Sequence, residues 1–233
     1  MRMNPIVAAA GGFFRNLDAA KWGDIGQATL DTLLMLAGAL PLTLLIGLPL
    51  GVALFLCGAP QLRRRPVLYG ALAALINLLR SVPFIILMIA MIPLTLMLMG
   101  TSLGVRGAIL PLVVGAAPFY ARLVETALRE VDRGIIEATQ AMGATTRQLV
   151  LRVLLPEARP GLIAGATVTT IALIGFTAMG GAIGSGGLGD VAYREGYLRS
   201  HSDVALITVI ALLVLVQVLQ MLGDRLVAHY SRR

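Results

Sequence analysis

Few residues in this chain could do chemistry, and none is spaced for catalysis. Lysine occurs once, at Lys21, so no phosphate-binding loop of the form Gly-x4-Gly-Lys-Ser/Thr can be drawn anywhere in it. Cysteine occurs once, at Cys57 in an apolar run, which leaves no disulfide framework or multi-cysteine metal site and reads as a small buried hydrophobe. His201 and His229 stand in a polar loop and in the tail, so no imidazole cluster is available. The glycine-rich stretch Gly180 to Gly189 holds a Gly-x-Gly pattern, but no strand precedes it and no βαβ unit surrounds it. The expectation is a chain with no catalytic residue, no metal and no cofactor of its own; a nucleotide would have to bind on another polypeptide.

The most informative spacing lies in the longest polar segment. Ile135, Ile136, Thr139 and Met142 repeat at helical intervals, and Gly143 can adopt the left-handed conformation that ends a helix. Thr145 and Gln148 fit a capping box opening a second helix, whose stripe is Leu149, Val150, Val153 and Leu154 and which Pro156 is expected to stop. A helix–glycine–helix element with apolar faces, flanked by arginines, is shaped to plug into a groove on a soluble partner. Small residues at Ala138 and Gly143 would let that partner approach the backbone.

The elements that must carry this segment are membrane spans. Hydrophobic residues make up 58% of the 233 and charged residues 13%, with a mean hydropathy of +0.86, against about 25% charged in a soluble domain. Several apolar runs reach the ~20 residues that cross ~30 Å of hydrocarbon. They predict an all-α, polytopic bundle of about five spans at 28–56, 79–99, 107–127, 161–182 and 204–223. Residues 1–26 are expected to be an uncleaved outer or interfacial segment, 132–157 the polar connection, and 227–233 a cytoplasmic tail. The apolar stretch 67–79 either extends the second span or lies along the membrane surface.

Arginine sets the orientation. Arg63 to Arg65, the arginines between Arg122 and Arg159, and Arg225, Arg232 and Arg233 outnumber the basic residues of the other side, Arg2, Arg15, Lys21, Arg106, Arg194 and Arg199. The excess places the 122–159 segment and the C-terminus in the cytoplasm and the N-terminus outside. It also accounts for the net charge of +7 without a nucleic-acid partner. The spans carry almost no ionisable group at mid-depth, which disfavours an ion-coupled carrier. Arg80 is the exception near a span end, and it either finds a polar partner or extends to the surface. Pro41, Pro49, Pro83, Pro93, Pro111 and Pro118 are hinges or tolerated kinks.

These residues carry a resemblance. Permeases of bacterial ATP-binding-cassette importers have a cytoplasmic signature of Glu-Ala-Ala, three residues, Gly, nine residues, then Ile-x-Leu-Pro, and this chain has Glu137-Ala138-Thr139, Gly143 and Val153-Leu154-Leu155-Pro156 at the same offsets. It departs at Thr139 and Val153. In that family the segment forms coupling helices seated in a cleft of the ATPase. The resemblance implies that role for Glu137, Ala138, Thr139, Met142, Gly143, Ala144, Leu155 and Pro156.

Gly175 to Gly184 with Gly186-Gly187-Leu188-Gly189-Asp190, Arg80 to Leu87, Met91 to Thr95 and Gly223-Asp224-Arg225 are similar to the methionine-importer branch, the MetI type. That branch implies a homodimer of five-span subunits, two ATPase subunits of the MetN type that hold ATP and Mg, and a periplasmic or lipid-anchored methionine-binding protein of the MetQ type. Gly180 with Gly184, and Ala178 with Ala182, are small residues four apart that would let helices pack closely in lipid. A two-fold pore lined by the fourth span then has Met179 as its gate candidate, with Phe176, Ala178 and Ala182 beside it. The rival readings are the same machine with another amino acid or a small osmolyte as cargo and, more distantly, an ion-coupled carrier. A membrane enzyme would need a nucleophile–base pair or metal cluster that the spans lack.

Overall fold

The computed structural model describes residues 19–59 and 65–231, and every regular element among them is helical. The expectations for residues 1–18, and the positions of Arg63, Arg64, Arg232 and Arg233, lie outside the described residues. In chain order the helices are α1 (Ala19–Gly58), α2 (Pro66–Ser81), α3 (Phe84–Ala90), α4 (Ile92–Met99), α5 (Gly104–Arg129), α6 (Arg133–Ala141), α7 (Thr146–Leu149), α8 (Arg159–Gly181), α9 (Gly187–Val191) and α10 (Ser202–Ser231). Wide π turns at Val150–Leu154 and Ala192–Leu198 follow α7 and α9.

Among the described residues four helices are long and apolar enough to cross a membrane, and a fifth span results if the bent pair α2 and α3 is counted as one. The second expected span, 79–99, is the one the structure divides. Pro83 lacks an N–H and pushes the residue before it out of the helical region, and Val82 is accordingly extended at ψ 125°. The stretch left open at 67–79 therefore becomes a separate helix, α2, with Pro66 in its first turn and Arg80 in its last. Pro93 sits in the first turn of α4, where a missing N–H is harmless. Pro41 and Pro49 lie inside an unbroken α1. At the other end α10 continues through the expected tail as far as Ser231.

The chain forms two compact units, and α1, α5, α8 and α10 each contribute a half to both. One comprises the described residues up to Ala39, Phe84–Leu112 and Leu173–Gln217. Its core gathers Ile25 and Ala28 of α1, Leu188 and Val191 of α9 and Val204 of α10. The other comprises the described residues of 40–83, Val113–Ala172 and the described residues from Val218 on. There Leu54, Ile76 and Ala121 join α1, α2 and α5, and a larger cluster ties Phe55, Tyr120, Val124 and Leu128 to Ile136, Leu149 and Leu154 of the polar segment.

Candidate functional site

The polar segment folds as the expected hairpin of short helices. The Asp132 carboxylate accepts from the Gly134 and Ile135 N–H groups at 2.7 and 3.3 Å and so opens α6. Gly143 ends it at φ +79°, and the Ala144 N–H donates back to the Thr139 carbonyl at 3.3 Å. A full capping box opens α7: the Thr145 hydroxyl accepts from the Gln148 N–H at 3.3 Å, and Gln148 Oε1 accepts from the Thr145 N–H at 2.8 Å.

Pro156 does not stop the second helix. It has no N–H for the Arg152 carbonyl, and the widened turn Val150–Leu154 absorbs that gap, after which Leu155–Glu157 leads through Ala158 into α8. The segment is thereby joined helically to a membrane span.

One side of the hairpin is fixed. Ile136, Thr139, Leu149 and Leu154 are buried, and the Thr139 hydroxyl donates to the Ile135 carbonyl at 2.7 Å, so Thr139 packs inward. Burying each of the leucines stabilises the attachment by roughly 1.5–3 kcal/mol. The other side is open. Glu137, Ala138 and Gly143 are exposed, Met142 is 80% exposed, and Ala144, Leu155 and Pro156 are half-buried. Thr139, Met142, Gly143, Ala144, Gln148, Arg152 and Val153 line a shallow groove of about 300 Å³.

The pathway candidates lie in the other unit, at the end of α8. Met179 is 50% exposed, Phe176 stacks on Phe84 with centroids 4.4 Å apart, and Ala178 lies with its backbone against Gly189. Gly180 packs tightly, for a β-carbon there would fall 2.7 Å from Ser185 Oγ and 3.2 Å from Met88 Sδ. Gly184 is not its helical partner. α8 ends at Gly181, Ala182 and Gly184 belong to the following turn, and Gly184 has φ +90°. The close approach in this region is instead Gly181 against Asp190 and Gly189 against Ala178, which folds α9 back onto α8. Thr32 of α1 holds the fold from the other side, accepting from the Leu188 N–H at 3.0 Å.

Two ion clusters were not singled out from the sequence. Glu195 lies 2.6 Å from Arg199 Nη1, 3.4 Å from Lys21 Nζ and 3.3 Å from His201 Nδ1. Burial alone would raise its carboxyl, but hydrogen bonds to Lys21 and His201 and the charges of Arg199 and Lys21 outweigh it and hold the group below the ordinary carboxylate value. Inside α5, Glu125 is 3% exposed and pairs with both Arg122 and Arg129 at 2.7 Å, while the Tyr69 hydroxyl donates to it at 3.2 Å. The signal was present, since Arg122 and Arg129 flank Glu125 at the helical offsets of three and four within an apolar run. No group of histidine, cysteine and carboxylate side chains suited to a metal occurs among the described residues.

The chain matches one family model, the binding-protein-dependent transport system inner membrane component, over residues 44–233. The chain belongs to this family. Within it, the methionine import system permease MetP of Bacillus subtilis is 45% identical over 95% of this chain and 98% of that protein. The D-methionine transport system permease MetI of Escherichia coli K12 is 54% identical over a stretch covering 58% of this chain and 63% of that protein. Among solved structures, a chain of the MetNI methionine ABC transporter in inward-facing conformation superposes with a TM-score of 0.89 at 44% identity, covering 92% of this chain and 99% of that one. The all-α polytopic fold expected from composition is thus the fold of a chain of that transporter.

Proposed function

We propose that this chain is the permease subunit of an ATP-driven importer that carries methionine, in its L- and D-forms, across the bacterial inner membrane. The observation that carries the reading is the hairpin Glu137–Pro156: one face is buried against α1 and α5, the other is open, and the whole is helically continuous with α8. A force applied to the open face cannot be taken up locally, because interiors are close-packed, and must move the spans. The similarity to MetP, MetI and the MetNI chain supports methionine as cargo.

In this reading Glu137, Ala138, Met142, Gly143 and Ala144 touch a separate ATPase subunit, which holds ATP and Mg. Thr139, Leu155 and Pro156 shape the hairpin from behind. The permease is a homodimer served by two ATPase subunits and a methionine-binding protein. The excess of arginine on the hairpin side supports a cytoplasmic hairpin and C-terminus and an outer N-terminus. ATP closes the ATPase pair, and closure shifts the dimer from inward-open to outward-open to the extent that the closed pair binds the outward form more tightly. The binding protein then delivers methionine between the subunits, past Met179, and reopening after hydrolysis releases it inside. The chain itself performs no bond chemistry.

The test is uptake of labelled methionine into cells or proteoliposomes carrying the assembled transporter. Uptake should stop on ATP depletion, survive collapse of ion gradients and be competed by unlabelled methionine before other amino acids. Competition by a different amino acid would reassign the cargo and leave the machine standing. A Gly143→Asp chain that still assembled with its ATPase and imported at the normal rate would remove the hairpin from the mechanism.

A further inference from the structure

Arg80 is a cation to which the mechanism above gives no task. α2 runs antiparallel to α5, with Tyr69 beside Glu125 and Arg129, the Arg122 Nη2 donating to Asn77 Oδ1 at 3.0 Å, and Arg80 Cζ 5.7 Å from the Phe119 ring centroid. Phe119 lies ten residues from Arg129 and thirteen from Arg106, the charges at the two ends of α5. At about 1.5 Å per residue those distances are roughly 15 and 20 Å. The Arg80 guanidinium therefore stands inside the ~30 Å hydrocarbon layer, about one helical turn further in than the Arg122–Glu125 pair on the hairpin side.

A guanidinium at that depth is costly against lipid and is characteristically found against a bundle interior or a water-filled path. Arg80 is nonetheless exposed, as are its neighbours Asn77 and Ser81. Among the described residues no carboxylate lies within 4.0 Å of it, and Glu125, the acid of this face, is engaged by Arg122 and Arg129. The Phe119 ring lies within cation–π range of the guanidinium, a contact that does not consume its N–H donors. A planar, permanently charged fork with free donors is matched to a carboxylate.

We propose that Arg80 lines the translocation path and takes the α-carboxylate of the amino-acid cargo as it passes, with the Phe119 ring beside the guanidinium. The proposal rests on the reading of the chain as an importer of an amino acid, but not on which one, because every α-amino acid presents this group.

The experiment uses the complete transporter with its ATPase and binding protein in proteoliposomes and reads the amount of labelled methionine moved per ATP hydrolysed. Arg80→Gln is expected to lower that ratio on the order of tenfold or more, since a hydrogen-bonded charge is lost from the path while the motor still turns over. Arg80→Lys should fall between Gln and wild type. An unchanged ratio in Arg80→Gln overturns the proposal, including the case in which uptake and ATP hydrolysis drop together as they would for a merely structural arginine. A wild-type complex that spends ATP without importing methionine, but imports another amino acid, moves the same test to that substrate. One that imports no amino acid refutes the importer reading itself, before any variant is compared.

Discussion

Arg129 turns back one helical turn along α5 to place its Nη2 2.7 Å from Glu125 Oε1. Among the described residues Glu125 serves as the one carboxylate for two guanidiniums in this cluster, and with the Tyr69 hydroxyl it fastens α2 to α5. Glu125→Gln keeps the shape and removes the charge. The loss should approach the roughly 3–5 kcal/mol seen when one partner of a buried pair is deleted, reduced because Arg129 is half exposed and regains water. Thermal melting of the purified transporter should fall by several degrees, whereas Glu137→Gln on the open face of the hairpin should leave it unchanged.

The caps of the hairpin give a second, smaller expectation. Asp132→Ala and Thr145→Ala each leave N–H groups without an acceptor at a helix start, a change of about 1 kcal/mol that is confined to α6 or α7. Hydrogen exchange should quicken about fivefold in residues 133–141 for the first and 146–149 for the second, with the membrane helices unaffected. Uptake per ATP should drop in both, because a frayed hairpin transmits less of the motor's movement.

The hairpin was legible because its signals are local. Thr145 and Gln148 are three apart, Gly143 follows an amphipathic turn, and each acts on the backbone within one helical turn. The spans were legible for the same reason, as length and apolar content decide them. What failed was tertiary. Pro156 was expected to end a helix, yet the π turn at Val150–Leu154 accommodates it, and no pattern within the segment announces that. Gly180 and Gly184 have the spacing of a packing pair, but α8 stops at Gly181, so the same four-residue interval crosses a turn. Glu125 disappeared into an apolar average although its two arginines were in view at helical offsets.

The fold-back at the end of α8 makes a prediction about glycine that discriminates between neighbours. A β-carbon on Gly189 would collide with the Ala178 backbone, and one on Gly181 with the backbone of Gly189 and Asp190, neither of which can rotate away. Gly189→Ala and Gly181→Ala should therefore each destabilise the protein by more than about 1–3 kcal/mol, the usual penalty for overpacking, and abolish uptake. Gly175, six residues earlier in the same helix, has no atom within 4 Å of its β-carbon position. Gly175→Ala should fold normally and gain slightly in helix propensity. Yield and melting temperature of the three variants decide the matter.

Glu195 supplies the pH dependence. Its carboxyl titrates below the ordinary range in the folded protein, since Lys21, His201 and Arg199 together overcome the effect of burial. The folded state thus binds that proton less readily than the unfolded chain does. The resulting stabilisation is complete above the unfolded carboxylate value and is lost as pH falls through the lower, folded one, in the region below about pH 4. Wild-type melting temperature should fall steeply on acidification into that region. Glu195→Gln should start lower at neutral pH and show a shallower fall, with the two curves converging at the acid end. If they instead run parallel from pH 7 to pH 3, the ionised carboxylate contributes nothing, and the contacts among Lys21, Glu195 and Arg199 hold no more than a hydrogen-bonded amide would.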